Sequence, residues 1–206
     1  VSEQAEIETA EVEDDAPEEA SPEELERRRQ ALAQITSFGD PVLRSRASEV
    51  TEFGPELEAQ ARRMIELMHD AMGVGLAANQ VGLLKRLLVF QAVPEATPRA
   101  IVNPVIEWSS RDTATAAEGC LSLPRVVVEV ERPLHVRVSA VDLRGELLVI
   151  EASGHEARVL QHEIDHLDGV LILERTTRGQ RKGAMRALRQ GTSYSPFEDE
   201  DDEAAA

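Results

Sequence analysis

The run His162-Glu163-Ile164-Asp165-His166 constrains this chain more than any other feature. On an α-helix, residues four apart share a face and lie about 6 Å apart along the axis, so one metal ion can reach both imidazoles. Glu163, beside the first histidine, can hold a water molecule without ligating the metal and can act on it as general base and acid. The same spacing arises by chance on solvated helices. Here Leu160, Ile164 and Leu167 form an apolar stripe on the side away from the histidines. A helix enclosed on both sides follows, and two unpaired imidazoles would be costly there. His155 shares the face of His162 but stands about 10.5 Å away along the axis, too far to join the same ion. His69 and His135 read as a helix-surface residue and a strand residue with no metal role.

The rest of the chain must supply what encloses that helix. Turn signals at Gly39, Asp40 and Pro41 mark the entry to the folded part near Ile35, after a short charged helix or linker over Pro22–Ile35. Leu57, Ala61, Met64, Ile65, Met68 and Met72 recur at helical steps, with Pro55 in the first turn and Gly73 as the stop. This methionine stripe reads as core packing. Leu87–Val93, Ala100–Trp108, Val126–Val130 and Val136–Val141 read as strands, and Leu143–Glu146 as a hairpin turn. The histidine helix should span His155–Asp168 and stop at Gly169. A short strand over Val170–Leu173 and a basic helix over Thr177–Arg189 should follow. The expected fold is a single α+β domain, with antiparallel or mixed β-sheets packed around a central metal-binding helix, one helix in the N-terminal region and one at the C-terminus.

A catalytic metal site needs a third ligand and an open position. The one cysteine, Cys120, lies in Glu118-Gly119-Cys120-Leu121-Ser122-Leu123-Pro124. Taken alone it reads as a small buried hydrophobe more readily than as a ligand. As a thiolate it would complete a two-histidine, one-cysteine set. Gly73-Val74-Gly75-Leu76-Ala77-Ala78-Asn79-Gln80 looks like a phosphate loop, but it follows a helix and lacks the lysine. Its small residues suit close approach of backbone to a ligand, and Gln80 offers a side-chain amide.

Charge excludes less than its size suggests. The formal net charge is −17, yet residues 1–26 hold 12 acids and no base, and Glu198–Glu203 adds 6. Without these, 21 acids face 22 Lys and Arg, so the middle of the chain is near neutral. Residues 1–30 and 191–206 are therefore expected to be acidic, disordered extensions flanking a unit over residues 31–190. No run of about 20 apolar residues is present, and the opening residues are acidic where a secretory leader would be basic and then apolar. One cysteine suits a reducing compartment. The expectation is a cytoplasmic protein with neither membrane nor DNA as partner, and nothing calls for more than a monomer.

Taken together and in this order, Gly-x-Gly-x-Ala-Ala-x-Gln, Glu-Gly-Cys-Leu-Ser and Gln-His-Glu-x-Asp-His resemble the three signature blocks of peptide deformylases, complete at all three, over about Ile35 to Arg189. The resemblance implies a hydrolase that removes the formyl group from the N-terminal formylmethionine of nascent polypeptides. It implies one divalent metal ion held by Cys120, His162 and His166. The resemblance implies ferrous iron in cells, with nickel or cobalt as active stand-ins; the ligand set by itself suits zinc. By the same resemblance, water activated at the metal would attack the formyl carbon, with Glu163 expected as general base and acid. Gln80 and the backbone N–H of Leu121 stabilise the oxyanion.

By the same resemblance, substrate pairs strand-like with Val74–Gly75, and Val74, Val159 and His162 wall the methionine pocket. Glu118 and Asp165 are expected to orient the ligands from behind, with a helix-surface salt bridge an equal reading for Asp165. Relatives often carry a peptide-holding arginine after the cysteine block, where this chain has Pro124-Arg125-Val126; Arg125 is the candidate replacement. The basic segment Arg175–Arg189 reads as a solvated face or as a docking surface for ribosomal RNA, as in some relatives. Two rivals share parts of the pattern. A zinc endopeptidase would draw its third ligand from a downstream histidine or glutamate. A silent deformylase-like module that binds ribosomes would have no need of Glu163, Cys120 and Gln80.

Overall fold

A computed structural model describes residues 20–197. Of the acidic, disordered extensions expected over residues 1–30 and 191–206, residues 1–19 and 198–206 fall outside the described residues, whereas residues 22–30 are helical and Tyr194 exchanges backbone hydrogen bonds with Arg125 and Val127. The first element, α1 (Pro22–Leu32), makes most of Pro22–Ile35 a helix, with a turn over residues 33–35. Ser21 caps it, and Glu24 returns the hydrogen bond to the Ser21 N–H. Ala31 and Ile35 anchor it in an apolar cluster with the second helix, α2 (Pro55–Asp70). Along α2, Leu57, Ala61, Met64, Leu67 and Met68 are buried at helical steps. Met72 was expected on this face but lies past the helix, left-handed at φ 58° and half-exposed, because the helix closes with the Gly73 N–H on the Met68 carbonyl.

Among the described residues seven strands follow: β1 (Gly75–Ala77), β2 (Leu87–Phe90), β3 (Arg99–Ser109), β4 (Thr113–Cys120), β5 (Leu123–Pro133), β6 (His135–Val141) and β7 (Leu147–Ser153). Five form one antiparallel sheet in the order β1-β2-β3-β6-β7, and β4-β5 is a separate antiparallel hairpin. β2 stops at Phe90, short of the expected Val93, because Gln91 turns back to bond the carbonyls of Pro94 and Ala96. β4 and the three-residue β1 were not foreseen. β4 is mostly Thr and Ala with little apolar content, and β1 lies inside the glycine-rich run. The β6–β7 turn is closed by the Asp142 N–H on the Glu146 carbonyl, with Gly145 at φ 85°.

The histidine helix, α3 (Gly154–Leu167), packs Ala157, Val159, Leu160, Ile164 and Leu167 against β2, β6 and β7. Its buried residues run almost without a break from Ala157 to Leu167, as enclosure on both sides requires. The hairpin β4-β5 covers its other side together with β1, and α2 lies in the cluster beneath β1 and β2. The expected strand Val170–Leu173 is instead a one-turn 3-10 helix over Ile172–Glu174. Its apolar residues are buried, but Glu174 accepts the Leu171 N–H and bends the backbone. α4 (Arg178–Gln190), capped by Thr177, packs Ala184 and Ala187 against β5. Among the described residues no helix is long and apolar enough to cross a membrane.

Candidate metal centre

The three sequence blocks meet through specific contacts. A Cβ on Gly75 would lie 2.8 Å from Glu163 Cδ, and one on Gly73 2.8 Å from Leu121 Cδ1, so both glycines are places where backbone must come close. The Gln80 Nε2 lies 3.7 Å from Cys120 Sγ and 3.2 Å from Ser122 Oγ. Its Oε1 accepts the Ala77 N–H at 2.8 Å, which fixes the amide so that its donor side faces the cysteine. Asn79 donates to the His166 carbonyl. The glycine block, the cysteine turn and α3 therefore interlock around one point.

At that point one ligand atom each from Cys120, His162 and His166 lies within 4.8 Å of the others. Cys120 Sγ is 3.2 Å from His166 Nε2. Cys120 ends β4, where a register shift against β5 brings it opposite Leu123. The histidines come from successive turns of α3, ring centroids 4.9 Å apart. His155 stays outside the cluster. The donor set fits a divalent ion. His162 Nδ1 is engaged by Glu118 Oε2 at 3.0 Å, which orients the ring and leaves its other nitrogen as a lone pair. One thiolate and two imidazoles form a three-ligand set of the kind that leaves a position for water.

Electrostatics separate the groups. Burial disfavours charge on both imidazoles. In His166 it prevails, helped by His162 and Arg132, and the pKa falls well below the ordinary value. In His162 the hydrogen bonds to Cys120 and Glu118 outweigh burial and hold it well above. Burial raises the Glu163 carboxyl to about 7 against the opposing charges of His162 and Arg132, and its Oε2 has no hydrogen-bond partner among the described residues. A divalent cation nearby would favour the ionised form. Burial alone would also raise Glu118, but hydrogen bonds from His162 and Arg132 outweigh it and bring the value down to about 2.

The other expected positions are placed as follows. Val74 is half-exposed, and its carbonyl accepts the Gln91 N–H. Gly75 lies in β1, the edge strand of the sheet. Val159 is buried in the core cluster under α3. Leu121 opens the turn after Cys120 and packs on Gly73. Arg125 is exposed, at φ 63°, and its carbonyl accepts the Tyr194 N–H. His69 bonds Gln91 at 2.6 Å and His135 bonds Ser153 at 2.8 Å. Asp165 is not a surface residue: it is buried and paired with Arg132 and Arg175.

Two residues near the cluster were missed. Arg132 forks Glu118 at 2.6 and 2.9 Å and reaches Asp165 at 2.8 Å. Arg158 adds 2.7 Å to Glu118. A signal for Arg132 exists in the strand alternation: Val126, Val128 and Val130 face inward along β5, so the next inward position is Arg132. An arginine there requires a buried carboxylate partner.

The model of the polypeptide deformylase family matches residues 32–182. Peptide deformylase 1 of Corynebacterium glutamicum is 47% identical over 167 residues, which cover 80% of this chain and 99% of that protein. The crystal structure of peptide deformylase from Thermotoga maritima matches with a TM-score of 0.67 at 47% identity, over 69% of this chain and 96% of that one. A peptide deformylase from Synechococcus elongatus, in complex with actinonin, matches with a TM-score of 0.72 at 39% identity, over 77% and 88%. With a family model spanning most of its length and the three blocks closing on one thiol–imidazole cluster, this chain belongs to the polypeptide deformylase family.

Proposed function

We propose that this chain removes the N-formyl group from the N-terminal formylmethionine of nascent polypeptides, using one divalent metal held by Cys120, His162 and His166. The observation that carries the reading is the convergence of those three ligand atoms within 4.8 Å beside a buried, unpartnered Glu163 oxygen. Ferrous iron is the proposed ion, with zinc, nickel or cobalt as alternatives for the same donor set. When bound, the ion supplies Lewis acidity and lowers the pKa of water in its open position.

The chain's own residues do the rest. Glu163 accepts a proton from the water attacking the formyl carbon and passes it to the departing amine, so formate and a free N-terminus leave. Burial raises this carboxyl, and a bound cation would favour its ionised form, which is the form that accepts a proton from water. Gln80 Nε2 and the Leu121 N–H donate to the developing oxyanion, and the Ala77 contact keeps the Gln80 amide from turning over. β1 is at an edge of the five-stranded sheet, and Gly75 with the preceding Val74 is where an extended substrate would pair. Val74, Val159 and His162 are the proposed wall for the methionine side chain.

The working unit is residues 31–190 between acidic extensions, acting as a monomer in the cytoplasm, and α4 is a candidate contact for ribosomal RNA. Iron-loaded protein assayed without oxygen should release formate from formyl-Met-Ala peptides and leave unformylated Met-Ala peptides intact. Cleavage of internal peptide bonds with no formate would point to an endopeptidase instead.

A further inference from the structure

A line of alternating charges runs from the protein surface to His162. Arg175, in the turn before α4, is half-exposed, and its guanidinium holds Asp165 through Nε at 3.0 Å and a second, short contact. It borders a cleft of about 550 Å³ that is also lined by Arg46, Arg86 and Asp168. Asp165 Oδ2 accepts Arg132 Nη1 at 2.8 Å. Arg132 turns its other two nitrogens on Glu118, whose Oε2 engages His162 Nδ1 at 3.0 Å. Side-chain exposure falls inward along the series, from 48% at Arg175 to 11%, 5% and 4% at Asp165, Arg132 and Glu118.

The geometry makes Arg132 a shared element. One planar guanidinium serves two carboxylates, so its seat depends on how fully each is satisfied by others. Arg158 helps hold Glu118 on one side, and Arg175 holds Asp165 on the other. Without Arg175, Asp165 has only Arg132 to answer a largely buried charge and draws it away from Glu118. The Glu118 carboxylate then loosens its hold on the imidazole. Asp165 is also next in sequence to His166 on α3, so both histidine ligands feel the same strut.

We propose that Arg132, Asp165 and Arg175 are positioning residues. Through Glu118, they fix the His162 ring and so set how tightly the Cys120–His162–His166 cluster holds its ion, which links the entrance of α4 to the metal centre. This rests on the reading that those three residues hold a metal.

The test is cobalt(II) affinity of the full-length protein, measured by chelator competition, with the visible d–d spectrum as a record of ligand geometry and thermal melting as a control. Arg132→Gln risks misfolding, because it takes a buried guanidinium from two buried carboxylates at once, leaving Glu118 to Arg158 and His162 and Asp165 to Arg175. Arg175→Gln is therefore the informative variant. It should bind cobalt about three- to tenfold more weakly, with a shifted spectrum, at the lower end of what losing support behind a ligand costs. A pure charge effect runs the other way, since removing a positive charge favours a cation. Arg175→Lys should fall between, keeping the charge and losing the fork. In an Asp165→Asn background Arg175→Gln should have no further effect. Unchanged or tighter cobalt binding by Arg175→Gln, or the same loss in both backgrounds, would overturn the proposal. Wild-type protein that binds no cobalt would instead overturn the metal-centre reading itself.

Discussion

Glu118 and Glu163 are both buried glutamates within reach of the same cluster, and their surroundings are opposite. Glu118 meets two guanidiniums and an imidazole, all four contacts between 2.6 and 3.0 Å, and is held as a permanent anion. Among the described residues Glu163 has no guanidinium bonded to it, and one of its oxygens has no hydrogen-bond partner. Its carboxyl is pushed to about 7. One residue type thus serves as a fixed strut in one place and as a proton carrier in the other, and the arginines make the difference. The hairpin β4-β5 supplies the fixed charge, and α3 with β1 supplies the mobile proton.

That contrast can be broken at either end. The largest effect is expected for Glu163→Gln, which keeps the shape and removes the proton site. Turnover should fall about 10²–10⁴-fold with metal content unchanged, as read by formate release alongside metal analysis. A rate within a few-fold of wild type would remove Glu163 from the proton path. Glu118→Gln should act on the ion instead, weakening metal affinity about 10–100-fold. It should also lower the melting temperature, since one-sided removal of a buried pair costs about 3–5 kcal/mol. Arg137–Glu151 is the matched control, a cross-strand fork with the same sequence separation but half or more of each side chain in solvent. Arg137→Gln should cost under about 1 kcal/mol and leave metal binding alone. Equal losses from Glu118→Gln and Arg137→Gln would mean that burial is not what distinguishes them.

The sequence made the mobile half of this contrast legible and hid most of the fixed half. Glu163 stands between two histidines at helical spacing, and Cys120 and Gln80 sit in short blocks whose order carries a resemblance. Such local patterns survive in one dimension. Glu118 could be named from its block, but its partners could not. Arg132 reaches it across a hairpin, Arg158 from α3 and Arg175 by way of Asp165, and no sequence period joins them. The same reason explains the fold errors. Val170–Leu173 is apolar, and Leu171–Leu173 are buried as a strand would be, but the chain forms a single 3-10 turn over Ile172–Glu174, set by the Glu174 carboxylate. β1 is three residues long and exists because β2 lies beside it.

Everything proposed for the chemistry depends on a single ion with one sulfur and two imidazole nitrogens around it. X-ray absorption of the full-length protein carrying one equivalent of zinc measures that shell directly. The account predicts one sulfur at about 2.3 Å and two histidine nitrogens at about 2.0–2.1 Å, with a light atom completing four-coordination. A shell of nitrogen and oxygen only, with no sulfur, would contradict it.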